Sequence, residues 1–123
     1  MEIIHAKEAY ANAMLAKYQA RRSMFERAAA AFNKIVIEAA DRGEIAALLR
    51  WRDFDIDEEL AVDEEALTEL LNQIVASGYD AEFCYCSPVA FNPCGIVFAW
   101  GEYTLDAINE VFQNLTGEIY RGE

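Results

Sequence analysis

Apolar side chains at Met14, Tyr18, Phe25, Ala28, Phe32, Ile35 and Ala39 recur at steps of four and three, with Arg21 filling the one polar place in the series. That spacing belongs to a helix that buries a single seam. No Gly or Pro occurs before Gly43, and the stretch is rich in Ala, Lys, Arg, Glu and Met, all good helix formers. The pattern predicts one helix from about Ala6 to Arg42, closed by Gly43. At about 1.5 Å per residue it would be roughly 55 Å long, against about 35 Å for a compact domain of this size. Part of the seam must therefore project, bend or meet a second copy. Met14, Phe25, Ala28, Phe32 and Ile35 are the candidate positions of a homo-oligomer interface, and Ala28-Ala29-Ala30-Ala31 permits close helix approach. The alternative is a kink near Arg22-Ser23 that folds two shorter helices onto one core.

Beyond Gly43 the periods shorten. Residues 45–52 form a short apolar run after a turn and predict a strand, with a brief helix as the alternative. Residues 53–65 hold eight carboxylates in thirteen positions. A second helix is predicted from Asp63, a suitable N-cap, with Glu64 and Glu65 where the helix dipole favours acids. Val62 and Leu67 are placed as a hydrophobic staple. Leu67, Leu70, Leu71, Ile74 and Val75 make the apolar face of this helix, and Gly78 ends it. From Tyr79 to Cys86 the chain alternates, predicting a strand with Tyr79, Ala81, Phe83 and Tyr85 toward the core. After a loop with Pro88 and Pro93, residues 95–100 read as a buried strand antiparallel to it. Thr104 can cap a third helix with Leu105, Ile108, Val111, Phe112 and Leu115 on its apolar face and Gly117 at its end. The predicted fold class is α+β in the order α-β-α-β-β-α. It forms a single domain over 1–123, with a long oligomerisation helix at 1–42 and an acidic body at 43–123 carrying a small, mostly antiparallel sheet.

Composition adds charge asymmetry to this plan. Apolar residues make up 54% of the chain, enough for a core and too many for global disorder. No apolar run reaches the ~20 residues of a membrane span. The N-terminal residues lack the basic and apolar segments of a signal peptide, so the expectation is a cytoplasmic protein without a membrane partner. Three cysteines, an odd count, argue against a disulfide framework. The net charge of −12 makes direct binding to nucleic acid unfavourable. Residues 1–42 carry seven Lys/Arg and five Asp/Glu, a net of +2, whereas residues 43–123 carry three and seventeen, a net of −14. A mildly basic helix on a strongly acidic body suits self-association of helix on body.

Several local features together resemble a group of small tailed-phage proteins of uncharacterised function. They are Ile3-Ile4 followed by Ala6-Lys7-Glu8-Ala9, a long helix ending Ile37-Glu38-Ala39-Ala40 with Gly43-Glu44 after it, and a short strand. Leu70-Leu71, Gly78-Tyr79 opening a strand and a strand closing on Trp100 complete the pattern, which covers about residues 1–100. The third helix departs from the group, which usually stops near the Trp. The resemblance implies a phage gene product made in the host cytoplasm and carries over no catalytic residues.

Candidate chemistry is sparse. Asp53, Asp55, Asp57 and Glu64 fall at positions 1, 3, 5 and 12 of a calcium loop, but position 6 is Glu58 where the turn needs Gly. A solvated acidic turn is the better reading. Cys84, Cys86 and Cys94, with His5, could supply zinc ligands, but Cys-x-Cys lacks the usual gap, which favours reduced thiols packed as small apolar groups. No metal or other cofactor is expected. His5 is the single histidine, and no nucleophile–base arrangement, Walker A or Rossmann fingerprint is present, so no catalytic residue is assigned and an enzyme is not expected. Arg50-Trp51-Arg52 and the cluster of Tyr18, Arg21 and Arg22 are candidate ligand or partner contacts, since Arg beside an aromatic can hold a phosphate or stack a base. Pairing of these arginines with the acidic body or another subunit is the competing explanation. The expected function is a non-enzymatic phage accessory protein, an oligomeric inhibitor of a host defence protein. The alternatives are a protein that sequesters a nucleotide immune signal and an acidic DNA mimic.

Overall fold

A computed structural model of the chain describes residues 2–115 and 119–121. Helix α1 spans Ala6–Asp41 and is continuous through Arg22-Ser23, so the kinked alternative is not realised. Arg42 closes it, and Gly43 turns away at φ +77°, a backbone conformation that favours glycine. Strand β1 (Ala46–Arg50) follows, then a 3-10 turn at Trp51–Phe54, a single-turn helix α2 at Glu58–Ala61, and α3 at Glu64–Ala76. Strands β2 (Asp80–Tyr85) and β3 (Gly95–Ala99), helix α4 (Thr104–Asn114) and a short β4 (Tyr120–Arg121) complete the order. The fold is α+β, as the sequence predicts, but the 3-10 turn, α2 and β4 are additions to the predicted order.

The four strands lie in the order β1-β3-β2-β4, and every pairing is antiparallel. The central strand β3 is buried along its whole length, which accounts for its unbroken apolar run. Gly95 is required there because a Cβ would sit 2.4 Å from the Leu49 carbonyl oxygen of β1. Ile96 and Phe98 face one side, where Met24, Ala28 and Phe32 of α1 meet Ala66, Leu67, Leu70 and Ile74 of α3. Val97 and Ala99 face the other side with Ala46, Ala107 and Ile108. Helix α4 therefore covers the second face of β1 and β3. Arg121 of β4 bonds to Glu82 of β2 and to Asn109 of α4, tying the last strand to both layers.

Tyr79, Ala81 and Phe83 pack on the main core as predicted, but Tyr85, expected with them, is not part of it, and Cys84, at an alternate position of β2, is buried. Thr104 starts α4 without capping it; Tyr103 holds the cap position and makes no side-chain cap bond. Leu105 is exposed, and Ala107 takes its expected place beside Ile108. Val62, one half of the predicted staple, is exposed, while Leu67 is buried. Gly117, predicted to close the last helix, lies outside the described residues.

Candidate functional site

Residues 2–19 are exposed throughout. Helix α1 first meets its own body at Ala20 and Met24, so about 21 Å of it, residues 6–19, stands clear of the domain. This arm carries Tyr10, Met14, Leu15 and Tyr18, which are 67%, 42%, 56% and 64% exposed. Tyr10, Met14 and Tyr18 lie four residues apart, and the steps 18, 21, 25, 28 and 32 carry the same stripe down onto the body. One apolar face is thus covered by the domain in its C-terminal half and uncovered in its N-terminal half.

The interface predicted from the heptad seam must move accordingly. Ala28 and Phe32 are core residues, and Phe25 and Ile35 are partly buried against that core. Of the five proposed positions only Met14 is exposed. Met24, one place off the predicted seam, is fully buried instead, because a straight helix drifts relative to a strict heptad and rotates its buried face as it runs.

Arg21, which interrupts the apolar seam, explains where the arm ends. Its guanidinium donates to Asp63 at 3.1 Å, lies 3.6 Å from Glu65, and locks α1 to the start of α3. Asp63 is also the N-cap of α3, accepting from the Ala66 backbone N–H at 3.2 Å. Burial pushes the Asp63 carboxyl up, but the Ala66 N–H and Arg21 outweigh it and hold it below the usual carboxylate range. The Arg21 Nε is buried without a partner, so loss of Asp63 would leave a poorly solvated cation. Asp63→Ala is expected to cost about 2–3 kcal/mol in chemical denaturation, combining a lost cap with a lost charged hydrogen bond. Asp63→Asn can still cap and isolates the charge. A lowered folded-state pKa means the ionic contribution is complete above the unfolded carboxylate value near about 3.9 and fades as pH falls through the folded one. The stability gap between the parent and Asp63→Asn should therefore be constant above about pH 5 and close below about pH 4. A gap independent of pH would disprove the ionic role.

The other ligand candidates separate. Arg22 pairs with Glu26 at 3.4 Å along the same helix, and Tyr18 lies on the arm. Arg50, Trp51 and Arg52 line a cavity of about 330 Å3 with Cys86, Cys94 and Ile119, to which Tyr18, Arg21 and Arg22 do not contribute. Trp51 is not a free stacking platform: its ring is buried, packs edge-on against Phe54 at 5.8 Å, and donates from Nε1 to the Pro93 carbonyl at 2.7 Å. It anchors the β2–β3 loop to the end of β1. Arg50 and Arg52 make no ion pair among the described residues. Their guanidiniums supply the cavity with positive charge in a chain of −12.

Among the described residues no group of three or more His, Cys, Asp or Glu has a geometry that would hold a metal ion. In the acidic segment the Asp53 carboxylate accepts from the Arg50 backbone N–H at 2.8 Å, and Asp55 adopts a left-handed backbone at φ 48°. These residues cap the 3-10 turn and reverse the chain before α2, which is a structural use of two of the suggested calcium positions. His5 holds the exposed N-cap position of α1, at the tip of the arm. Burial pushes the Cys84 thiol well above the ordinary range and the Cys94 thiol up to about 12.

No helix among the described residues is long and apolar enough to cross a membrane. Compared with known proteins, the chain matches no family model, no curated protein and no solved structure.

Proposed function

We propose that this chain acts by binding and without catalysis, as a homo-oligomer joined through the N-terminal half of α1. The observation that carries this reading is the uncovered continuation of a buried stripe: Tyr10, Met14 and Tyr18 extend the face that α1 uses to cover its own core. An isolated helix of about this length is marginal in water, because nucleation is costly and most helical stability comes from packing. A second copy of the arm, antiparallel to the first, supplies matching apolar surface at the same spacing and relieves that instability. The reading extends to a host protein as the target and its inhibition as the outcome, supported by the acidic charge of the chain and the projecting arm. Sedimentation velocity across a wide dilution series tests the assembly. A species heavier than one chain that dissociates on dilution supports it, and one-chain mass at every concentration rejects it.

A second reading, sequestration of a nucleotide, is favoured by one observation: Arg50 and Arg52 flank a cavity without carboxylate partners among the described residues. With Trp51 buried, such a site would hold phosphate by charge and not by base stacking. A thermal-shift screen of linear and cyclic nucleotides would register binding as a higher melting temperature. Absence of any shift would remove this reading.

A further inference from the structure

We propose that Cys86 and Cys94 form a reversible disulfide at the neck of the β2–β3 loop, made by exchange with an anionic low-molecular-weight disulfide at the Arg50–Arg52 cavity. The loop leaves β2 after Tyr85 and re-enters the sheet at Gly95, so these two cysteines stand at its two feet. The returning foot is fixed: the Cys94 N–H donates to the Cys84 carbonyl at 2.8 Å, and the Cys94 carbonyl accepts from the Trp51 N–H at 3.0 Å. Both cysteines line the same cavity, and Cys86 adds to burial in pushing the Cys94 thiol up. Two cysteines on the wall of one cavity, one on each foot of the same loop, are placed for a bridge between them. Cys84 also touches Cys94, but it is buried within the sheet, whereas Cys86 is exposed. Access therefore selects Cys86 as the cysteine that meets the oxidant.

The exchange balances in two steps. Cys86 gives its proton to solvent, and its thiolate attacks one sulfur of the reagent; the reagent's S–S bond breaks and the first small thiol leaves. Cys94 then loses its proton and attacks the Cys86 sulfur of the mixed disulfide, releasing the second small thiol. Two protein thiols are oxidised and one reagent disulfide is reduced to two thiols. Burial of Cys94 makes the second step the slower one, since the thiolate is the attacking species. The guanidiniums of Arg50 and Arg52 on the cavity wall favour a reagent bearing carboxylates, such as oxidised glutathione. The closed neck would hold in place a loop whose tip displays Val89 and Phe91, 82% and 98% exposed.

The test uses the full chain in glutathione buffers of graded redox ratio, followed by denaturation, alkylation of free thiols, and mass analysis of the whole chain and its peptides. In oxidising buffer the parent should retain one alkylated cysteine, Cys84, with Cys86 and Cys94 in one cross-linked peptide. Cys86→Ser should retain two alkylated cysteines and form no bridge within the chain. Three alkylated cysteines, a mixed disulfide that persists at Cys86, or a bridge between Cys84 and Cys94 would each overturn the assignment. Arg52→Gln should slow oxidation by glutathione disulfide several-fold while leaving oxidation by the uncharged hydroxyethyl disulfide unchanged. Equal effects on both reagents would overturn the anionic preference. Neither readout depends on the assembly of α1.

Discussion

Replacing Phe98 with Ala is expected to cost about 3–5 kcal/mol of folding stability, a large share of the about 5–15 kcal/mol available to a domain of this kind. Phe98 is fully buried at the centre of the sheet. Its ring lies 4.5 Å from that of Phe32 on α1, 5.9 Å from Tyr79 and 6.0 Å from Trp100. Truncation removes the transfer energy of the ring and leaves a cavity that three fixed aromatic neighbours cannot fill by small shifts. The melting temperature should fall by roughly 10–20 °C, with the denaturant slope unchanged. Phe91→Ala provides the contrast: its ring is almost fully exposed, so the change should stay within about 0.5 kcal/mol. A loss below about 1 kcal/mol for Phe98→Ala would mean that the ring does not join α1 to the sheet.

Met14→Glu combined with Tyr18→Glu should disperse the proposed oligomer while leaving each chain folded. Each large apolar side chain transferred into an interface contributes about 1.5–3 kcal/mol, and symmetry repeats every substitution in each copy. A loss of at least about 4 kcal/mol corresponds to roughly 1,000-fold weaker association. Neither position belongs to the core of its own chain, so the stability of the separated subunit should shift by less than about 0.5 kcal/mol. Light scattering reads the mass, and circular dichroism on the same sample reads the fold. Unchanged mass in the double variant would place the interface elsewhere, and loss of fold would mean that the arm packs on its own body.

The long helix and its outrunning of the body were legible because an uninterrupted run of helix formers with a regular apolar step has few other outcomes. The two-sided burial of β3 was legible in its unbroken apolar run. What escaped depends on long-range partners. Pairing of Arg21 with the acidic body is the competing explanation to a ligand contact and is what the structure has, but spacing does not single out its partner Asp63, 42 positions away. Trp51 beside two arginines reads as an exposed platform, yet the Pro93 carbonyl and Phe54 hold it inside. In the acidic segment the periods are too short to declare elements, so the 3-10 turn at Trp51–Phe54 and the single turn of α2 left no signal. β4 consists of two residues and owes its place to pairing with Cys84 and Tyr85, which spacing alone does not encode.

Amide hydrogen exchange of residues 6–19, followed as the protein is diluted, addresses the arm itself. If a second copy covers it, these amides exchange slowly in concentrated solution and speed up on dilution, while those of residues 24–39 stay protected throughout. Fast exchange in residues 6–19 at every concentration would show an arm frayed in water with no partner copy, and the proposed assembly would fall.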